Sequence, residues 1–318
     1  MLRSLSRIAC LLLLAVAPLT VRAQEHAAST EHVATTASDA PVDFITPHIT
    51  DSRHLEIPWP NSHLAKEIPL PQFAPIHIGG VTLDLSPTKH VVFMLMAAVV
   101  VALLLIVAGN ASQKQHAAKG RSSGFAGAIE AMALYLRNEV VLPNVGHHGE
   151  GFVPFALTLF FFILVCNLFG MLPWGATATG NISVTATLAI ITAIVVEVAG
   201  VRANGLGYLN TIFYWNKDLP FVMRVLMFIV MSPVEMVGKL SKPFALTIRL
   251  FANMTAGHIV LLAIMGLIFS FKSWFITPVP VLMATAISML ELFVAFLQAF
   301  IFTLLASVFI GQIREAHH

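Results

Sequence analysis

Long apolar runs separated by short polar stretches set the pattern of this chain. The first run, "HVVFMLMAAVVVALLLIVA" at 90–108, is long enough to cross a hydrocarbon core of about 30 Å. A second, "PFALTLFFFILVCNLFGML" at 154–172, is opened by Pro154 and closed by Pro173. A third covers 182–201, and a last one covers 281–310. Between them, 219–271 is apolar for longer than one span requires, and Pro233, Gly238 and Pro243 interrupt it. Proline lacks an amide donor and crowds the preceding turn, so two helices are predicted there, 221–239 and 242–269.

The connections read differently from one another. "GNASQKQHAAKGRSSG" is predicted to be a loop carrying Lys114, Lys119 and Arg121. "FAGAIEAMALYLRNEVVLPNV" is amphipathic, and Glu130, Arg137 and Glu139 suit a helix lying at the membrane interface or entering it shallowly. Upstream, "MLRSLSR", the short apolar "IACLLLLAVAPL" and the small-residue ending "VRA" predict a signal peptide over 1–23, cleaved before Gln24, with an uncleaved anchor as the alternative. Residues 24–87 then form an exported region. Its first part, 24–40, is Ala-, Thr-, His- and Glu-rich and is expected to be disordered, so His26 and His32 read as a solvated tail. Within 41–87, "IHIGGVTLDLS" alternates around Gly79 and Gly80 as a small hairpin would.

Composition agrees with the runs: 57% of residues are hydrophobic and 11% charged, against about 25% charged in soluble domains. The expected fold is an all-α integral membrane protein of about five transmembrane helices plus the amphipathic segment. Its membrane domain covers 88–312, and a cytoplasmic tail covers 313–318. A net charge of +2 gives no case for nucleic acid. Of two cysteines, Cys10 lies in the signal peptide, leaving Cys166 and no disulfide framework. Lys114, Lys119, Arg121, Arg202, Lys217, Arg224 and Arg314 fall on one side and Lys272 on the other, which places the N-terminus outside and the C-terminus in the cytoplasm of a bacterial inner membrane. No internal repeat is visible, which weighs against secondary-transporter folds.

Ionisable residues at membrane depth are costly and mark function by default. Here they are Glu197, Glu235, Lys239, Lys242, Arg249, His258 and Glu291, joined by the neutral Asn167, Asn253 and Gln298. Two readings of Arg249 stand side by side: an internal ion pair with Glu291 or Glu235, or a cation facing an ion path or a mobile carboxylate. Ala245, Arg249, Ala252, Asn253, Ala256 and Val260 recur at helical spacing as a small-residue stripe, which presents the arginine to a neighbouring helix. His258 comes nine positions later, about 180° around, and faces the protein's own bundle. Glu291 and Gln298 share a face of the last helix, so His258 and Glu291 form either a structural pair or a proton relay. Glu197 and Glu235 sit near cytoplasmic helix ends, with Lys239 or Arg202 as available partners, and Asn167 serves either helix–helix bonding or a wet cavity. No nucleotide-binding or hydrolase motif is present. No cofactor or metal is implied, the His147, His148 and Glu150 cluster being a weak candidate in a Gly-rich loop.

"SKPFALTIRLFANMTAGHIV" resembles the central motif of the a subunit of F-type ATP synthases, the stationary membrane subunit beside the rotating c-ring. "FVPFALTLFFFILVCNLFGMLP" and "ELFVAFLQAFIFTLLASVFI" resemble two further helices of that family, and the likeness covers 86–312. The resemblance implies two long tilted helices facing the c-ring, with Arg249 as the essential arginine. It implies a proton path through Asn167, Glu235, Asn253, His258, Glu291 and Gln298. Some bacterial members carry glutamate where this chain has His258 and histidine where it has Glu291; the exchange, as in mitochondrial relatives, keeps one carboxylate and one imidazole. Expected partners are the c-subunit carboxylate, the peripheral-stalk b subunits, the rest of the synthase and membrane lipid. The chain itself would not hydrolyse or make ATP. A self-contained transporter or channel and a structural scaffold are the rival functions.

Overall fold

Caps and glycines mark where the apolar runs become helices in the computed structural model, which describes residues 51–57, 66–73, 76–78, 81–83, 86–146, 149–172, 175–208, 220–271 and 278–315. The signal-peptide region, the 24–40 tail, Gly79, Gly80, His147, His148, Lys217, Asp218 and Lys272 lie outside the described residues. Helix α1 spans Lys89–Lys119 and ends on Gly120, whose φ of 70° allows its amide to close on the His116 carbonyl. Helix α2, Gly124–Tyr135, passes through a π-helical turn, Leu136–Val141, into α3, Leu142–Val145. Helix α4 is Val153–Gly170 with proline in its first turn. Helix α5, Ile182–Asn204, is capped by Asn181, whose side chain accepts from the Ser183 amide at 2.9 Å. Helices α6, Phe221–Phe271, and α7, Pro278–Glu315, complete the bundle. Among the described residues, five helices are long and apolar enough to cross a membrane.

Two expectations need correction. The predicted loop after the first span is mostly helix, because Ala111, Gln113, Lys114, Gln115, Ala117 and Ala118 are strong helix formers that extend α1 to Lys119. The predicted pair of helices over 221–269 is one helix of 51 residues with Pro233 and Pro243 inside it. Membrane helices tolerate such prolines where neighbours hold the geometry. Here Lys239 is bonded across to α5 and Lys242 to Gln312 of α7, which holds the turn that leads into Pro243. The amphipathic segment is helical, and its π-turn buries Leu136, Val140 and Val141. The predicted hairpin pairs β3 (Ile76–Ile78) with β4 (Val81–Leu83); a second hairpin, β1 (His54–Ile57) with β2 (Lys66–Pro69), was not anticipated.

Helix α4 is the centre of the bundle, with Leu159 through Asn167 buried. Against it lies a seam of small residues on α7 at every fourth position: Ala295, Ala299, Thr303, Ser307 and Gly311. Such residues let helix backbones approach closely, and a Cβ on Gly311 would stand 1.8 Å from the Asn144 carbonyl oxygen of α3. Among its described side chains, helix α6 contributes Leu246, Leu250 and Met254 to this core, one stripe at four-residue spacing. The rest of α6 is largely exposed.

Two carboxylates outside the spans fasten the helix ends. Asp51 accepts from the Nδ1 of His90 at 2.7 Å and from Asn181 at 3.4 Å, tying the segment before α1 to α1 and α5. Burial pushes the Asp51 carboxyl up, but the hydrogen bond and charge of His90 outweigh it and hold the group below its usual 3.8. On the opposite side Glu130 of α2 accepts from Ser112 at 2.5 Å, from Ser122, and pairs with His116 at 2.8 Å. These bonds bring its carboxyl down to about 2.

Candidate functional site

Polar groups collect at two levels of α6, with Arg249 between them. At the first level, towards the helix C-terminus, His258 Nδ1 lies 3.7 Å from Glu291 Oε1, and the two side chains are 13% and 7% exposed. That is beyond a direct hydrogen bond. Buried as they are, His258 Nδ1 and Thr255 Oγ1 have no hydrogen-bond partner among the described residues. Glu291 reaches this place because Gly257 faces it: a Cβ there would stand 3.4 Å from Oε1. One turn nearer to Arg249, Asn253 Nδ2 donates to Gln298 Oε1 at 3.1 Å. Asn167 of α4 adjoins the same stretch of α7, donating to the Ala295 carbonyl at 3.2 Å and accepting from Thr179 Oγ1 at 2.6 Å.

At the second level, towards the helix N-terminus, Lys239 donates to Tyr208 Oη at 2.5 Å and to Glu197 Oε2 at 3.4 Å. The Tyr208 hydroxyl in turn donates to Glu197. Tyr208 is seated on Gly200, where a Cβ would come within 2.6 Å of its ring. Lys242 Nζ donates to Gln312 at 3.4 Å and stands 4.9 Å from the Phe309 ring centre. Glu197, Lys239, Lys242, Phe309 and Gln312, with Thr192 and Glu235, line a cavity of about 290 Å³. Glu235 is exposed and makes no hydrogen bond or ion pair among the described residues.

Arg249 itself is exposed and has neither hydrogen bond nor ion pair among the described residues. Neither Glu291 nor Glu235 holds it, so the internal-pair reading finds no contact. Ala245, Ala252, Asn253, Ala256 and Val260 are exposed with it, forming one outward stripe, while Leu246, Leu250 and Met254 face the core. Glu235 precedes Arg249 by 14 positions, about 21 Å along the axis and within about 40° of the same face.

The residues named from sequence thus fall into three places: Asn167, Asn253, His258, Glu291 and Gln298 together, Arg249 alone, and Glu235 in the cavity. Sequence reasoning missed Thr179, Thr255 and Tyr208. Tyr208 and Thr179 lie in stretches read as connections, and Thr255 carries no signal at a single position because threonine is common in apolar spans. Glu150 pairs with Arg137 at 2.9 Å, and no group of three metal-ligating side chains occurs among the described residues.

With this geometry in place, comparison with known proteins is informative. Residues 91–311 match the family described as ATP synthase A chain. The chain is 46% identical over 266 residues to "ATP synthase subunit a" of Chloroherpeton thalassium, covering 83% of this chain and 74% of that one. It is 41% identical over 295 residues to "ATP synthase subunit a 2" of Chlorobaculum tepidum, covering 92% and 78%. It is 44% identical over 239 residues to "ATP synthase subunit a" of Myxococcus xanthus, covering 74% and 76%.

Proposed function

This chain belongs to the ATP synthase A chain family, a multi-pass membrane subunit of ion transport in ATP synthesis, and from that premise we propose how its residues carry protons. Protons enter from the periplasm through the level of Asn167, Asn253, Thr255, His258, Glu291 and Gln298. They pass to a carboxylate on an adjacent c subunit and, after nearly a full turn of the c-ring, leave to the cytoplasm by the cavity at Glu235. Arg249 stands between these two offset half-channels. The observation that carries the proposal is an outward-facing arginine, without a partner among the described residues, on a stripe of small residues between two separate polar clusters. A fixed cation there favours the ionised form of a passing carboxylate and repels protons that would cross directly. Buried polar atoms seek partners, so His258 Nδ1 and Thr255 Oγ1 suit bridging water.

The remaining parts of the reading follow the same premise. Residues 1–23 act as a signal peptide, 24–87 form an exported extension, and the tail from 313 is cytoplasmic, in a bacterial inner membrane. The exposed faces of α6 and α7 meet the c-ring, and b subunits hold the stator. The test is Arg249→Ala in the assembled synthase. ATP-driven pumping should be lost and passive proton leak should appear. Full pumping by that variant would overturn the reading, as would proton transport by the purified chain alone, which belongs to a self-contained channel.

A further inference from the structure

Glu235 and Lys239 are four residues apart on α6, glutamate first, which is the favoured order for an ion pair along a helix. The pair is not made. Lys239 turns instead to α5 and the turn after it, where its ammonium sits between Tyr208 Oη at 2.5 Å and Glu197 Oε2 at 3.4 Å and 4.3 Å from the Tyr208 ring centre. Its side chain is only 16% exposed there. The next cation on this face, Lys242, is likewise drawn away, to Gln312 and Phe309 of α7. Neighbouring elements therefore hold both lysines, and Lys239 above all, away from Glu235.

We propose that Glu197 and Tyr208 are positioning residues that restrain Lys239, so that Glu235 stays unpaired and free to exchange protons in the cavity. The proposal rests on the reading of Glu235 as part of the cytoplasmic path. Among the described residues, the charged groups facing the cavity are Glu197 from α5 and Glu235, Lys239 and Lys242 from α6; α7 contributes the neutral Gln312. Two carboxylates and two ammonium groups balance. The distribution is what matters: with Lys239 on Glu197, Glu235 is left to bind and lose a proton. With Lys239 on Glu235, the adjacent cation favours the ionised carboxylate and opposes its protonation. Gly200 belongs to the same device, since any side chain there would displace the Tyr208 ring.

The experiment measures ATP-driven proton pumping into inverted membrane vesicles bearing the whole synthase, against the pH bathing the cytoplasmic face. Rates are normalised to ATP hydrolysis by heads released from the same membranes. Glu197→Gln releases Lys239, and the alkaline fall of pumping should move to lower pH by about 1, the low end for an opposite charge at close range. Lys239→Met in the same chain should return the profile to that of the unsubstituted protein. Tyr208→Phe keeps the ring and removes the bridging hydroxyl; it should move the profile in the same direction, and it serves as the test if Glu197→Gln fails to assemble. A purely structural role for Glu197 would lower the amount of assembled enzyme without moving the profile. Glu235→Gln is the reference. If it slows pumping while Glu197→Gln and Tyr208→Phe keep the original profile, or if Lys239→Met restores nothing, the positioning role is wrong and the exit reading stands. If Glu235→Gln pumps normally, the exit reading itself fails.

Discussion

Asn167 is both a bundle fastener by its bonds and a channel residue by the proposed path, and a double substitution separates the two. Its Oδ1 accepts from Thr179 Oγ1 at 2.6 Å, with 1% of Asn167 and none of Thr179 exposed. Thr179→Val keeps the shape and removes the donor, leaving a buried acceptor unpaired at a cost of about 1–3 kcal/mol. Asn167→Leu does the converse to the Thr179 hydroxyl, also losing its donation to the Ala295 carbonyl. Replacing both with apolar groups removes the stranded partner, so the double variant should be nearer the original stability than the sum of the singles. Coupling across polar pairs in membrane bundles averages about 0.6 kcal/mol with a maximum near 1.7. A short bond between two fully buried groups belongs at the upper end, and about 1–1.5 kcal/mol is expected here. Reversible detergent-denaturant unfolding of the purified chain in mixed micelles measures the cycle, and proton flow through synthase carrying the same variants measures function. Coupling smaller than about 0.3 kcal/mol, the usual additivity error, would refute the bond as a stability element. Flow that returns in the double variant would remove Asn167 from the path and leave it a fastener. Flow that stays slow at regained stability is what the path requires.

Two further outcomes are expected. Gly311→Ala forces α7 away from α3, because the new Cβ would lie 1.8 Å from a backbone oxygen; a loss of at least 1–3 kcal/mol is expected from such overpacking (about the usual range), whereas Gly109→Ala, with nothing within 4 Å, should gain about 0.5–1 kcal/mol, both read by the same unfolding assay. Asp51 has its carboxyl held below 3.8 in the folded protein, so its fastening is fully present above that pH and is lost as pH falls below it; hydrogen exchange at residues 86–90 should rise in that acid window, and Asp51→Asn should show the raised exchange already at neutral pH.

Helical phase was legible in the sequence to a degree that helix ends were not. The spacing of Ala245, Arg249, Ala252, Asn253, Ala256 and Val260 is a local geometric fact, and it places them on one outward stripe whatever surrounds the helix. The end of α1 depends on a competition: glycine and asparagine at Gly109 and Asn110 argue for a loop, but the following Ala and Gln residues and the Glu130 bonds to Ser112 and His116 favour helix. The continuity of α6 through Pro243 rests on bonds made by Lys239 and Lys242 to other helices, so no window centred on the proline contains it. The π-turn over Leu136–Val141 is similarly non-local, since it serves to bury Val140 and Val141 together. For the site, residue types at membrane depth identified the charged and amide groups. They did not identify Tyr208, whose part depends on a seat opened by Gly200, eight positions earlier.

On the proposed reading, the exposure of Arg249 is itself a requirement. A unit cation and a carboxylate 4 Å apart attract by about 4 kcal/mol at an effective dielectric of 20, and by about 1 kcal/mol in water. Each proton crossing supplies about 2.3 kcal/mol per 100 mV. A dry, buried arginine would hold a passing carboxylate more strongly than one proton's energy could release at that potential, and rotation would stall. An arginine paired inside its own chain would not attract the carboxylate at all. Arg249 lies on an exposed face and has no partner among the described residues, which leaves its cation available to such a carboxylate. On that reading the attraction must be strong enough to favour the ionised form opposite it, and weak enough for the arrival of the next proton, delivered from the His258 and Glu291 level, to move the ring on.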